Sequence, residues 1–134
     1  MITWLAVAIG SAMGGMARYG FGMWVGRIWG NSFPLGTLLI NIIGSFVIGL
    51  FGALTMASGP YPASALTRTF VMVGLCGGFT TFSSFSLQSM ELLQAGENLQ
   101  AALYIVSSVA ICLAGVFLGY WLATRLGLPP HTEV

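Results

Sequence analysis

Three stretches of this chain, Pro34 to Met56, Thr69 to Met90 and Leu99 to Thr124, contain no charged side chain. Each is about as long as the roughly 20 apolar residues a helix needs to cross some 30 Å of hydrocarbon. A fourth stretch, from Ile2 to Trp24, is broken only by Arg18. These runs predict an all-α membrane protein, a single transmembrane domain over 1–134, with helices over about 2–28, 34–56, 67–93 and 99–124.

The rest of the composition agrees. Of 134 residues, 57% are hydrophobic and 5% charged, with a mean hydropathy of +0.92, too little polar surface to coat a water-soluble globule. The charges are Arg18, Arg27, Arg68, Arg125, Glu91, Glu97 and Glu133. A net charge of +1 leaves no electrostatic footprint for nucleic acid, so no such partner is expected. Cys76 and Cys112 lie in apolar stretches, where small buried thiols are the expected reading and a disulfide or metal site the alternative. The opening Met-Ile-Thr-Trp lacks a basic region, so the first span reads as a retained helix and not a cleaved signal.

The connections are short: a Ser-Gly-Pro-Tyr-Pro turn from Ser58 to Pro62, and Gly96-Glu97-Asn98 between the third and fourth spans. Sequential helices should therefore be antiparallel neighbours. Trp4, Trp24, Trp29, Tyr61 and Trp121 fall near predicted ends, at headgroup level. Small residues recur four apart at Gly10 and Gly14, Ser11 and Gly15, Gly22 and Gly26, Ser45 and Gly49, and Gly115 and Gly119, which lets backbones approach closely. Four spans put Arg68 and Arg125 on one side against Arg27, with or without Arg18, on the other. Orientation follows the Lys/Arg bias of short loops, and here that bias nearly vanishes. Insertion in both orientations, giving an antiparallel dual-topology dimer, stands beside ordinary single-topology insertion.

The polar residues inside the spans narrow the function. Gly77-Gly78-Phe79-Thr80-Thr81-Phe82-Ser83-Ser84-Phe85-Ser86 is poor helix sequence. A break at membrane depth survives only where protein or a polar cavity solvates it, and its freed carbonyls and amides can coordinate ions. The alternative is a continuous helix whose hydroxyls bond to preceding carbonyls. Phe82 and Phe85, three apart, share a helix face and can turn positive ring edges to an anion, or simply pack. Thr80, Thr81, Ser83 and Ser84 place hydroxyls beside them, Asn41 puts an amide midway along the second span, and Tyr104 and Ser108 share a face of the fourth. Each of these is also plausible interhelical glue. Arg18, about 21 Å along the first helix from Trp4, suggests a positive vestibule for anions or a snorkelling arginine.

No Asp, Glu, His or Lys falls inside a span once Glu91 is placed at the end of the third. Proton-coupled transport relies on a titratable relay in the membrane, and cation or drug antiport on a carboxylate. Hydrolytic and nucleotide-binding motifs are missing and the lone His131 sits in a Pro-rich tail, so no enzyme is expected.

Three motifs carry a resemblance: GGMAR at Gly14 to Arg18, PLGTLLINIIGSFVIG at Pro34 to Gly49, and GLCGGFTTFSSFS at Gly74 to Ser86. Together they resemble the CrcB/Fluc fluoride channels, by motif over three spans and by length over essentially the whole chain. The resemblance implies a passive, fluoride-selective channel in the bacterial inner membrane, exporting fluoride from the cytoplasm down its gradient. It also implies a dual-topology antiparallel homodimer with two fluoride paths lined by both subunits. Phe82 and Phe85 would present ring edges to fluoride, Asn41 would donate to it, and Ser108, Tyr104, Thr80 and Ser83 would line the path. A structural Na⁺ at the dimer axis would be held by the backbone carbonyls of Gly77 and Thr80. Many family members carry Glu where this sequence has Gln88, which puts any role of that carboxylate in doubt here. The rival readings are a small antiparallel multidrug transporter, which would show a carboxylate in the first span, a cation channel filtering at the central carbonyls, and a non-transporting membrane scaffold.

Overall fold

The computed structural model describes residues 1–126; the Pro-rich tail with His131 and Glu133 lies outside the described residues. Helix α1 runs over Ile2–Trp29 and ends at Gly30 with φ 76°, whose N–H reaches back to the Gly26 carbonyl. Helix α2, Leu35–Leu54, starts behind Pro34, whose missing N–H costs nothing at a helix start. The third span, Ala65–Gln94, is two half-helices. The first, α3 (65–79), opens on Ser64, whose hydroxyl accepts from the Thr67 N–H at 3.1 Å, is π-wound over Thr69–Cys76, and closes with Gly77–Phe79. The second, α4, is Phe82–Gln94. Helix α5 is Asn98–Leu126.

The turn between α4 and α5 shows why the chain reverses there. Gly96 adopts φ 79°, the Glu97 N–H bonds to the Leu92 carbonyl at 2.9 Å, and the Gly96 N–H to that of Leu93 at 3.1 Å. This is the paired closure of a Schellman cap, and it favours glycine at the left-handed position. At the other end of the bundle Arg68 donates through Nη1 to the Gly52 carbonyl at 3.0 Å and to Thr55 Oγ1 at 2.7 Å. It thereby satisfies a carbonyl in the last turn of α2 and lies at its negative end.

Two helix pairs make up the bundle: α2 lies along α5, and α1 along α3. Both are close-approach interfaces of the kind expected where no hydrophobic force drives helices together in lipid. A Cβ on Gly78 would come within 2.6 Å of the Ser11 carbonyl, and one on Gly10 within 2.7 Å of the Phe70 carbonyl. On the other pair, Gly49 faces the Val116 carbonyl and Gly119 the Phe46 carbonyl with no room for a side chain. The repeats at Gly10 and Gly14, Ser45 and Gly49, and Gly115 and Gly119 thus lie on helix seams, whereas Gly15, Gly22 and Gly26 line a cavity.

Large apolar side chains cover the outside, Trp4, Phe82, Phe117 and Leu99 among them, while the fully buried large residues are Tyr104 and Val25. That inversion suits lipid or a partner. Among the described residues three helical segments, Leu35–Leu54, Ala65–Gln94 and Asn98–Leu126, are long and apolar enough to cross a membrane. The expectation of four helices with the third broken holds, α1 being the least apolar of them. That helix is long enough at 28 residues, but Arg18, Arg27 and its many glycines dilute its apolarity, and it rides in the bundle against α3.

Candidate functional site

The break between α3 and α4 consists of Thr80 and Thr81, both extended, at φ/ψ of −79°/159° and −154°/111°. Thr80 ends the first half-helix by turning back on it, its N–H and its hydroxyl both donating to the Cys76 carbonyl at 2.9 Å. Thr81 begins the second: its Oγ1 accepts from the Ser84 N–H at 3.2 Å, donates to Ser84 Oγ at 3.0 Å, and lies 3.2 Å from Ser83 Oγ. This is an ordinary N-cap, set at membrane depth. Asn41 on α2 holds the same residue from the side. Its Oδ1 accepts from the Thr81 N–H at 2.8 Å and its Nδ2 donates to the Thr81 carbonyl at 3.1 Å, leaving the amide with one N–H uncommitted.

Two cavities meet at this point. The larger, about 730 Å³, opens between α1 and α2 and is lined by Arg18, Arg27, Asn31, Thr37, Thr81 and Ser84 together with glycines. Among the described residues lining it there is no carboxylate, so the potential inside is positive. The smaller, about 380 Å³, is lined by Asn41, Gly77, Thr80, Thr81, Phe82, Phe85 and Ser108. Thr81 lines both.

In the smaller cavity the rings of Phe82 and Phe85 lie 5.3 Å apart, inclined by 49°. Phe82 is 77% exposed and Phe85 8%, so the pair runs from the outer face of the bundle inward. The aromatic row continues from Phe85 to Tyr104 at 5.3 Å and from Tyr104 to Phe33 at 5.6 Å. Tyr104 is fully buried and its hydroxyl donates to Gln88 Oε1 at 2.9 Å. Ser108, also buried, has a hydroxyl with no hydrogen-bond partner among the described residues. Leaving such a group unpaired costs about 1–3 kcal/mol.

A family model described as CrcB-like protein, Camphor Resistance (CrcB), matches residues 5–120. The fluoride-specific ion channel FluC of Paramagnetospirillum magneticum is 51% identical over 124 residues, 92% of this chain and 97% of that one. FluC of Methylocella silvestris is 50% identical over 123 residues, 92% and 94% of the two chains, and FluC of Opitutus terrae 44% over 126, 94% and 96%. The chain belongs to the CrcB/FluC family.

Of the residues that the family motifs singled out, the structure gathers Asn41, Gly77, Thr80, Phe82, Phe85 and Ser108 around one cavity. Arg18 stands in the other, half-buried. Tyr104 lies behind Phe85, outside the lining, and Ser83 is exposed beside the Thr81 cap. Sequence reasoning on this CrcB/FluC chain passed over the second arginine on the larger cavity, Arg27, along with Thr37 and the position of Thr81 on both cavities. Arg27 is nine residues beyond Arg18, two and a half turns, and that spacing alone does not tell which cavity a residue reaches. The thiols of Cys76 and Cys112 fall on the smaller cavity too, beside the break.

Proposed function

We propose that this protein is a passive fluoride-specific ion channel of a bacterial inner membrane. The observation that carries the reading is the Ser108 hydroxyl, buried without a partner on a cavity walled by Phe82 and Phe85. An unsatisfied donor beside ring edges is a poor packing device and a good resting place for a small anion. The positive vestibule of Arg18 and Arg27 raises the local anion concentration. Ser84, whose hydroxyl accepts from Thr81 and keeps its own proton free, then offers a donor in place of water, and the ring edges and Ser108 follow. The N-terminal end of α4, positive by its dipole, faces the same place. No titratable group or stored energy is needed: HF enters as a neutral acid, dissociates at cytoplasmic pH, and the trapped anion leaves under a potential worth about 2.3 kcal/mol per charge per 100 mV.

The assembly that fits is an antiparallel homodimer. The half-formed wall of the smaller cavity opens onto an apolar face carrying Phe82, Val109, Leu113 and Phe117, each more than half exposed, and the near-even arginine distribution suits both orientations. A second copy would cover the face and complete two paths. The residues of the break also fit a structural Na⁺ at the dimer axis. The carbonyls of Gly77 and Thr80, at the negative end of α3, are hard oxygen donors, and two copies would supply four. When bound, the ion supplies the positive charge that ties the half-helices of the two subunits together.

The test is efflux from liposomes followed with fluoride- and chloride-selective electrodes under a K⁺ ionophore. Rapid fluoride efflux without chloride is expected, and Phe82→Ile should abolish it while the protein still dimerises. Silence for both anions from well-folded dimers would return the chain to the scaffold reading.

A further inference from the structure

In a continuous helix the N–H of residue 81 would bond to the carbonyl of residue 77, four positions back. Here the Thr81 N–H points to Asn41 Oδ1 instead, at 2.8 Å, and the same amide donates to the Thr81 carbonyl at 3.1 Å. One position earlier the helical bond is intact: the Thr80 N–H reaches the Cys76 carbonyl at 2.9 Å. The ladder therefore opens first at Thr81, where α2 supplies a competing acceptor, and the next turn starts afresh with the Ser84 N–H bonded to Thr81 Oγ1. Gly77 and Gly78 do not force the opening, since both lie in helical backbone, and the Thr81 hydroxyl caps the turn that follows but takes no part in holding its own N–H.

We propose that Asn41 is the positioning residue of the break. By accepting from the Thr81 N–H it diverts the donor a continuous helix would send to the Gly77 carbonyl, and so frees that carbonyl for a hard monovalent cation. This rests on the proposal of a Na⁺ site at Gly77 and Thr80. It assigns Asn41 a task separate from meeting fluoride, which its one uncommitted N–H can still do. Because Thr81 is also the residue shared by both cavities, one amide sets both the septum of the anion path and the mouth of the cation site.

The experiment compares the wild-type chain with Asn41→Leu, which removes acceptor and donor, and Asn41→Asp, which keeps an acceptor at the same place. Two readouts are taken on purified protein: the rise in Tm on replacing N-methyl-D-glucamine by Na⁺, and hydrogen exchange at the Thr81 amide, which faces the polar vestibule. The wild type should show a Na⁺-dependent Tm and a slow Thr81 amide. Asn41→Leu should lose the Na⁺ response and exchange at Thr81 faster by roughly two- to tenfold, the factor set by one net hydrogen bond. Asn41→Asp should retain both while its fluoride efflux falls, because an added anionic group repels the permeant ion. An Asn41→Leu protein with unchanged Thr81 exchange and Na⁺ response overturns the assignment. If that variant does not fold, fast Thr81 exchange in Asn41→Asp overturns it equally. A wild type indifferent to Na⁺ would remove the cation site, and Thr81 exchange would then decide the diversion on its own.

Discussion

At the scale of single residues the unusual atom is Ser108 Oγ. Buried hydroxyls are normally bonded, and the buried Ser89 and Thr55 follow that rule: Ser89 donates to the Phe85 carbonyl at 2.8 Å and Thr55 to that of Phe51 at 2.6 Å. Ser108→Ala should therefore leave Tm unchanged or raise it, by up to about 1 kcal/mol in stability, while slowing fluoride efflux. Paired measurement of Tm and efflux checks this, and a large loss of stability would mean the hydroxyl is a structural donor. Tyr104 differs, because it fills space. Fully buried between Phe33 and Phe85, its truncation to alanine should cost about 3–5 kcal/mol as an aromatic core deletion does, whereas Tyr104→Phe should lose only the bond to Gln88, about 1 kcal/mol. Thermal unfolding of the two variants separates packing from hydrogen bonding.

At the scale of elements the broken span is held by its neighbours. α3 lies against α1 along a seam so close that Gly78 touches the Ser11 backbone, and Gly78→Leu should separate the helices and prevent recovery of folded protein, since backbone cannot yield as a side chain does. Monodisperse protein with normal efflux from that variant would show that the seam is dispensable. α3 is tied to α2 twice, by Asn41 at the break and by Arg68 at the end. Arg68→Ala leaves the Gly52 carbonyl and Thr55 without their cationic partner and should cost about 1.5–3 kcal/mol, the range for bonds to charged groups, read as a lower Tm. Arg68 also counts in the charge balance that decides orientation, so its removal should skew insertion, detectable with reporters fused to the C-terminus.

At the scale of the whole molecule, on the proposed assembly, one chain is incomplete without a second copy. Its smaller cavity shares the apolar face of Phe82, Val109, Leu113 and Phe117, and exposed Phe and Leu beside a polar cavity suit a protein partner better than lipid alone. Leu113→Arg should therefore yield monomers with no fluoride efflux, measured by light scattering in mild detergent together with liposome flux. An active monomer would end the dimer proposal.

The sequence by itself determined the medium and the helix count, and marked where a break could fall. Uncharged runs of span length admit little but membrane helices, and Gly77 to Ser86 carries no pattern that a continuous helix favours. The close seams were also legible, because four-residue spacing of small residues states a helix face whatever its partner. What the tertiary structure alone decided was which groups meet. Asn41 and Thr81 are forty residues apart, and nothing local marks the amide as a clasp on backbone. Arg27 looked like a loop charge and Thr81 one hydroxyl among four, until the close approach of α1 and α2 made one a vestibule wall and the other a septum. Local spacing fixes the face a residue occupies on its own helix, while its partner is set by how helices from distant parts of the chain cross, a matter of backbone approach at Gly10, Gly49, Gly78 and Gly119.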